Sequence, residues 1–376
     1  MKVLVLGSSA RAVAESVARA GHEPVAIDSF GDCDLKKIAE WRKRDKARPL
    51  GEIVSGLDVD GAVFASGIEN RPETILELEE NGARVLCSSL ESVRRCRDHG
   101  ELEKFCQKSG LSRPRTRFPS PGEVFSGFSG FSGHFDTLVK RIKSGAGIGV
   151  REWVPGSRLR DGEYLQERVG GVPFSIVFLA DGKDAVLCGA SRQLAGEPAL
   201  GAGGFAWCGN IMPFERKESE RDAIEEELRR AAREIASYFG LRGAAGADFM
   251  YDGGRLWLLE INPRISASFE LVELLYGVNI FSLHLGAIEG RLPPERRGIL
   301  NGPFRGKGII YAPANLTAPD TGAWYNCARR DIPRPGSLLP EGAPICTSLT
   351  PPLASDADVM AYLAGEAEKI WKECGL

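Results

Sequence analysis

The first 28 residues constrain the fold more than any other stretch. Residues 3–6 are a short apolar run, Gly7-Ser8-Ser9 turns the chain, residues 10–20 carry a helical pattern, and Gly21 stops it. Residues 23–27 form a second apolar run that ends at Asp28. Two strands joined through a helix run parallel, because a crossover brings the chain back to the same end of the sheet. A strand at 61–65, a helix at 71–81 and a strand at 85–87 continue the alternation. A parallel sheet with helices on both faces is therefore predicted over residues 1–95. Gly7-x-Ser9 lacks the second and third glycines that let a backbone approach a pyrophosphate, which argues against a nicotinamide site there.

The remaining length, to 376 residues, suggests two or three domains. A net charge of −3 argues against a dedicated binder of nucleic acid or of anionic membranes. No apolar run reaches the length of a membrane span, and the N-terminus does not read as a signal peptide. The nine cysteines are scattered without a Cys-x-x-Cys pair, so neither a zinc knuckle nor a disulfide framework is expected, and the odd count fits a reducing cytoplasm. None of the four histidines stands in a metal-spaced pair.

Helices are expected at 89–97 and 101–110. The tandem FSGFSGFSG at 125–133 reads as a flexible connector. The chain then becomes strand-rich, with runs at 138–142, 164–168, 174–179 and 185–190. Ile224, Leu228, Ala231, Ala232 and Ile235 recur at helical spacing, and Gly240 follows, which predicts a helix over 218–239. Residues 248–251 and 255–261 form a hairpin about Asp252-Gly253-Gly254. A helix at 268–288 follows, then a β-rich tail from about 300 that closes with a helix at 356–373. Residues 331–349 read as turn-linked short strands with no assigned chemistry.

Chemistry concentrates in three places. In LWLLEINPR, residues 256–264, Glu260 and Asn262 project to one side of an otherwise apolar strand. Hairpin pairing can add Asp248, and three side-chain oxygens at one sheet end suit a hard cation such as Mg²⁺; a solvated hairpin is the bland alternative. Lys140 ends a strand, and Gly145, Gly147 and Gly149 follow, flanked by Lys143 and Arg151. Backbone amides free of side chains next to a cation can close over a polyphosphate, although the Gly-Lys-Ser/Thr ending of a Walker loop is missing. Finally, the strand containing Gln166 and Glu167 runs through Val169 into Gly170-Gly171, a place where a carbonyl or carboxylate and an N–H could meet adenine. Arg192 is a candidate clamp for a substrate carboxylate or an acyl phosphate, and Trp207 and Asn210 are candidates for the acceptor pocket.

The order of these parts (lysine strand, glycine loop, Gln-Glu strand, then Asp…Glu-x-Asn-Pro-Arg) resembles the ATP-grasp superfamily over residues 85–290. The resemblance implies an α/β (α+β) ATP-grasp fold. It would have an N-terminal Rossmann-like parallel-sheet domain (1–95), linker helices and a lid subdomain (96–170), a central antiparallel-sheet domain (171–298) and a small C-terminal β-rich segment (299–376). It implies that Lys140 contacts the ATP phosphates under a glycine lid and that Glu167 and Val169 hold adenine. Asp248, Glu260 and Asn262 would bind two Mg²⁺ ions, with Mn²⁺ as a substitute, and Arg264 would stabilise the transferred phosphoryl group or the acyl phosphate. The reaction implied is ligation of a small-molecule carboxylate to an amine through an acyl phosphate, in the cytoplasm, by a homodimer. The two chain ends are similar to ligases of one-carbon cofactor pathways, which implies a pair such as glutamate and tyramine, with other amino-acid or peptide pairs open. A biotin-dependent carboxylase and a non-catalytic nucleotide binder are the other readings. Two departures stand out. Asp98-His99 replaces the family's Asp-Lys, leaving Arg97 as the substitute or the contact missing, and Pro173 occupies the place of an acidic ribose ligand.

Overall fold

The computed structural model describes residues 1–45, 48, 50–119, 137–154 and 156–376, and the FSGFSGFSG repeat lies outside the described residues. Strands β1 (Lys2–Leu6), β2 (Glu23–Asp28), β3 (Glu40–Lys43), β4 (Gly61–Phe64) and β5 (Arg84–Val85) form a parallel sheet in the order β3-β2-β1-β4-β5. The order reverses at β1, so the carboxyl ends of β1, β2 and β4 open on a crevice. The edge strand β3, Glu-Trp-Arg-Lys, has no apolar alternation and gave no signal in the sequence.

Strands β6 (Thr116–Arg117), β7 (Thr137–Arg141), β8 (Arg151–Glu152) and β9 (Glu163–Glu167) make a small antiparallel sheet around Val139, Trp153 and Leu165. The largest sheet is antiparallel throughout. It is built first from β10 (Val172–Asp181), β11 (Ala185–Ala195), β12 (Trp207–Met212), β13 (Arg242–Tyr251) and β14 (Leu256–Asn262). Beyond β12 it continues through β15 (Arg305–Tyr311), while β16 (Leu316–Thr317) and β18 (Leu338–Leu339) pair separately. Strands β17 (Arg329–Arg330) and β19 (Pro344–Leu349) complete it in the order β14-β13-β10-β11-β12-β15-β19-β17. The tail therefore extends the central sheet.

Helix Glu218–Phe239 lays Ile224, Leu228, Ala231, Ala232, Ile235 and Phe239 on the outer face of this sheet, and Gly240 ends it in the left-handed conformation (φ 65°). The helix expected at 268–288 is two helices, Phe269–Tyr276 and Ile280–Ile288, bent by 112°. Gly277 (φ 64°) terminates the first, and the Asn279 side chain caps the second by accepting from Ser282 N–H at 2.8 Å. These helices join the parallel sheet to the central one. Ser16 Oγ donates to Glu273 at 2.5 Å, and buried His284 accepts from Ala244 N–H and contacts the Leu86 carbonyl. Among the described residues no single helix is long and apolar enough to cross a membrane, and all nine cysteines are free.

Arg192, expected as a substrate clamp, is placed elsewhere. Its guanidinium forms a bidentate pair with Asp356 (2.8 and 2.9 Å) in the first turn of helix Asp356–Glu373. The reason is the period of β11: Ser191 and Gln193 face the cleft side, so Arg192 must face away. Arg192→Ala is expected to cost about 1–2 kcal/mol of stability, as for loss of a charge-assisted pair. Thermal melts should show that loss while substrate affinities stay unchanged.

Candidate active site

Glu260 and Asn262 reach Asp248 only because β14 carries an extra residue. Tyr251, Met250 and Phe249 pair with Leu256, Trp257 and Leu258 in a regular ladder. Continued without interruption, the ladder would set Leu259 opposite Asp248 and turn Glu260 and Asn262 into the core. A register shift follows Leu258, and Glu260 stands opposite Asp248, with Asn262 opposite Gly246. This bulge moves the two polar residues to the cleft face and re-aims them.

The three oxygens are held by a network. Asn262 Nδ2 donates to one Asp248 oxygen at 3.0 Å and Gln193 Nε2 to the other at 2.8 Å. Arg97 Nη1 donates to Glu260 at 3.0 Å. Arg264 is locked rather than free: it makes a bidentate pair with buried Glu69 (3.0 to 3.1 Å), and its Nη2 donates to Asn262 Oδ1 at 3.2 Å. Burial first, then the Glu260 charge, pushes the Asp248 carboxyl well above the usual carboxylate range. Against the upward push of burial, the Arg97 guanidinium, a hydrogen bond with Asp248 and the Lys140 charge hold Glu260 down at about 2. Two carboxyls side by side thus oppose each other's charge, an arrangement that a cation would relieve. Among the described residues no group of three or more His, Cys, Asp or Glu side chains is placed to hold a metal. Two carboxylates and one carboxamide nevertheless fit Mg²⁺, which takes few protein ligands and completes its shell with water and phosphate.

Cations face this pair. Lys140, on β7 opposite Tyr164, is pushed down by burial, while Glu260 opposes the shift. Asp98 is spent on capping helix His99–Ser109, through Glu101 N–H at 3.0 Å. His99 lies edge-on to Tyr164 and Phe118 and contacts Arg113 at 3.1 Å; burial, then Arg113, Arg97 and Lys140, bring it to about 4. Arg97 therefore engages Glu260 of the pair, and His99 stays neutral beside Lys140. The Nη1 of Arg113 is buried without a hydrogen-bond partner.

The glycine loop rests against the central sheet. Trp207 N–H donates to the Ala146 carbonyl at 3.0 Å, and a Cβ on Gly147 (φ 72°) would lie 1.8 Å from the Phe205 carbonyl oxygen. Gly145 has open space around it, Gly149 is left-handed (φ 78°), and Lys143 is exposed at the cleft mouth. Gly147→Ala is expected to push the loop off Phe205 and raise the KM for nucleotide about tenfold. The melting temperature should hold within about 2 °C, since the loop adds little core. At the hinge, the Glu167 carboxylate is engaged by Arg115 (3.1 and 3.2 Å) rather than presented to a ligand, and Val169 and Pro173 line the cleft. Trp207 Nε1 donates to Asn210 Oδ1 at 3.1 Å, and Asn210 Nδ2 to Ser191 at 3.0 Å.

The sequence-predicted site residues other than Arg192 and Gly149 line one cavity of 1470 Å³ between the three sheets. Sequence reasoning missed Gln193, Glu69 and Arg113. Strand alternation beside Arg192 could have found Gln193; Glu69 and Arg113 carry no local signal.

Residues 111–268 match the family model described as ATP-grasp domain. The chain carries an ATP-grasp domain. Its fold recurs in the L-amino acid ligase from Bacillus licheniformis, at a TM-score of 0.66 and 17% identity, covering 98% of both chains. It recurs also in the biotin carboxylase domain of the Hydrogenobacter thermophilus 2-oxoglutarate carboxylase, determined with MgADP and bicarbonate (TM-score 0.67, 16% identity, 94% of this chain and 86% of that one). In sequence, the carbamoyl phosphate synthase large chain of Neisseria meningitidis is 24% identical over 251 residues, 60% of this chain. The chain spans about a fifth (22%) of that relative's length.

Proposed function

We propose that this chain is an ATP-dependent ligase that joins a carboxylate to an amine through an acyl phosphate, releasing ADP and phosphate. The observation that carries the reading is the Asp248–Glu260–Asn262 set facing Lys140 in a cleft inside an ATP-grasp domain. Asp248, Glu260 and Asn262 would hold one or two Mg²⁺ ions, for which Mn²⁺ could substitute. Bound metal supplies charge neutralisation on the phosphates. The chain's own groups do the rest. Lys140, and Arg97 and Arg113 beside it, set a positive potential where phosphoryl charge develops. The amides of residues 145–149 cover the phosphates and exclude water from the acyl phosphate. Arg264, held by Glu69, keeps the Asn262 carboxamide oriented, and this positioning replaces the direct phosphoryl contact expected from the sequence. The backbone of residues 167–169 is left to meet adenine, because the Glu167 carboxylate is taken by Arg115.

ADP and phosphate release with a panel of carboxylates and amines, glutamate with tyramine among them, tests the reading. Release that needs both partners supports it. Release that needs only bicarbonate supports the second reading, a carboxylase-type activation, which the likeness to the biotin carboxylase domain favours. No release with any pair refutes both.

A further inference from the structure

The cleft continues past the proposed phosphate site to the crevice of the parallel sheet, and its far wall is built from carboxylates. Residues 29–34, after β2, are stitched to residues 331–332: Cys33 N–H donates to the Ile332 carbonyl at 2.8 Å. The N–H groups of Asp331 and Ile332 donate to Asp34 at 2.9 and 3.0 Å. Asp331 is left-handed (φ 54°), a conformation that costs on the order of 1 kcal/mol outside glycine. Its carboxylate is fixed by Arg11, through Nε at 3.0 Å and Nη2 at 3.3 Å, by Ser9 Oγ at 3.4 Å and by Thr347, so each oxygen already accepts two hydrogen bonds.

Asp32 stands beside this assembly. It is 9% exposed, lines the cleft, and its Oδ2 has no hydrogen-bond partner. Burial, then the charges of Asp331, Asp28 and Asp34, push its carboxyl up to about 8, with Arg11 opposing. The nearby cations are committed elsewhere. Fully buried Arg11 is shared among Glu270, Asp331 and Glu15, and Lys307 donates to Glu270 at 2.5 Å. A buried carboxyl left without a partner lowers stability, and such a cost persists where a ligand answers it.

We propose that this end of the cleft holds the ammonium group of an organic cation at Asp32, beside the charge of Asp331. One substrate of the reaction would then be an amino acid, or an amine carrying a second, charged nitrogen. The substrate class rests on the ligase reading above; the charge rests on the carboxylate geometry alone. Attack on an acyl phosphate requires a neutral amine, so the nitrogen held as ammonium is not the one that attacks. A divalent metal is the weaker occupant, since the oxygens of Asp331 are already taken by Arg11, Ser9 and Thr347 and leave Asp32 as a lone carboxylate ligand. An ammonium asks only for acceptors along three diverging N–H bonds. Phe30, 53% exposed and lining the same end, offers an aromatic face to the cation's stem.

Calorimetric titration of the full chain at pH 7 with 2-phenylethylammonium chloride, and with 2-phenylethanol as the uncharged match, tests the site. The ammonium is expected to bind at least tenfold more tightly than the alcohol. Asp32→Asn is expected to remove that difference and leave the affinity for a Mg–ATP analogue unchanged. Its ligand-free melting temperature should equal or exceed that of the wild type, because an unanswered carboxyl is removed. Equal binding of ammonium and alcohol overturns the proposal, as does an undiminished ammonium preference in Asp32→Asn or equal competition by potassium ion. Should Asp32→Asn fail to fold, the wild-type comparison of ammonium with alcohol decides alone. Failure of every carboxylate–amine pair to release ADP refutes the ligase reading and leaves this binding result standing.

Discussion

Glu260→Gln is expected to lower ADP formation by about three orders of magnitude while the chain stays cooperatively folded. The catalytic loss follows from charge. Glu260 is the carboxyl of the pair that stays ionised, and an amide in its place removes an anionic ligand from a site that has only two. Stability behaves differently. Removing one member of a buried ion pair ordinarily costs about 3–5 kcal/mol, and Arg97 would be left facing an amide. Here Asp248 can take over: its carboxyl is pushed up by burial and by the Glu260 charge, and losing the second cause favours its ionised form near Lys140. Arg97 also keeps Glu69 at 3.5 Å. The melting temperature is therefore expected to fall by only a few degrees, while Mg²⁺ titration of nucleotide hydrolysis shows a much weaker metal dependence. Near-normal turnover in Glu260→Gln would refute the assignment of Glu260 as a metal ligand.

The same residue shows what the sequence could and could not convey. Local patterns sufficed where one element determines itself: the helix at 218–239 follows from its apolar spacing and Gly240, and the final helix at 356–373 has the predicted bounds. The chemistry of Glu260 and Asn262 was also legible, as polar residues in an apolar strand. Their meeting with Asp248 was not, because an unbroken ladder through the same turn turns them into the core, and a bulge leaves no compositional mark. Arg264 shows a different gap. Its partner Glu69 lies 195 positions away on another sheet's margin, and a guanidinium looks the same in sequence whether it is free or occupied. Arg192 fails for a third reason: strand parity sends it to Asp356, although its neighbour Gln193 reaches the site. Asp331 was assigned no chemistry because its partners Arg11 and Asp34 lie about 300 residues upstream.

Lys140→Ala is expected to weaken nucleotide binding by 10- to 100-fold, about 1.4–2.8 kcal/mol, and to slow the phosphoryl step by about 100-fold. Lys140 sits at the end of β7, where the strand delivers its ammonium towards Glu260 and Asp248 and the loop of residues 145–149 begins to fold over the cleft. Burial disfavours its charge, so the protein gives up stability to keep it there unless a polyanion arrives. An alanine leaves the carboxylate pair without that counter-charge and leaves the incoming phosphates without their nearest buried cation. Arg97 cannot replace it, since its Nη1 is bonded to Glu260. Lys140→Arg is expected to restore little, because a planar guanidinium fork does not place a compact point charge where the ammonium stood. Equilibrium titration with a Mg–nucleotide analogue gives the binding loss, and single-turnover ADP formation gives the chemical one. If both values stay at the wild-type level, Lys140 is only the end of a strand, and the phosphates bind away from Asp248 and Glu260.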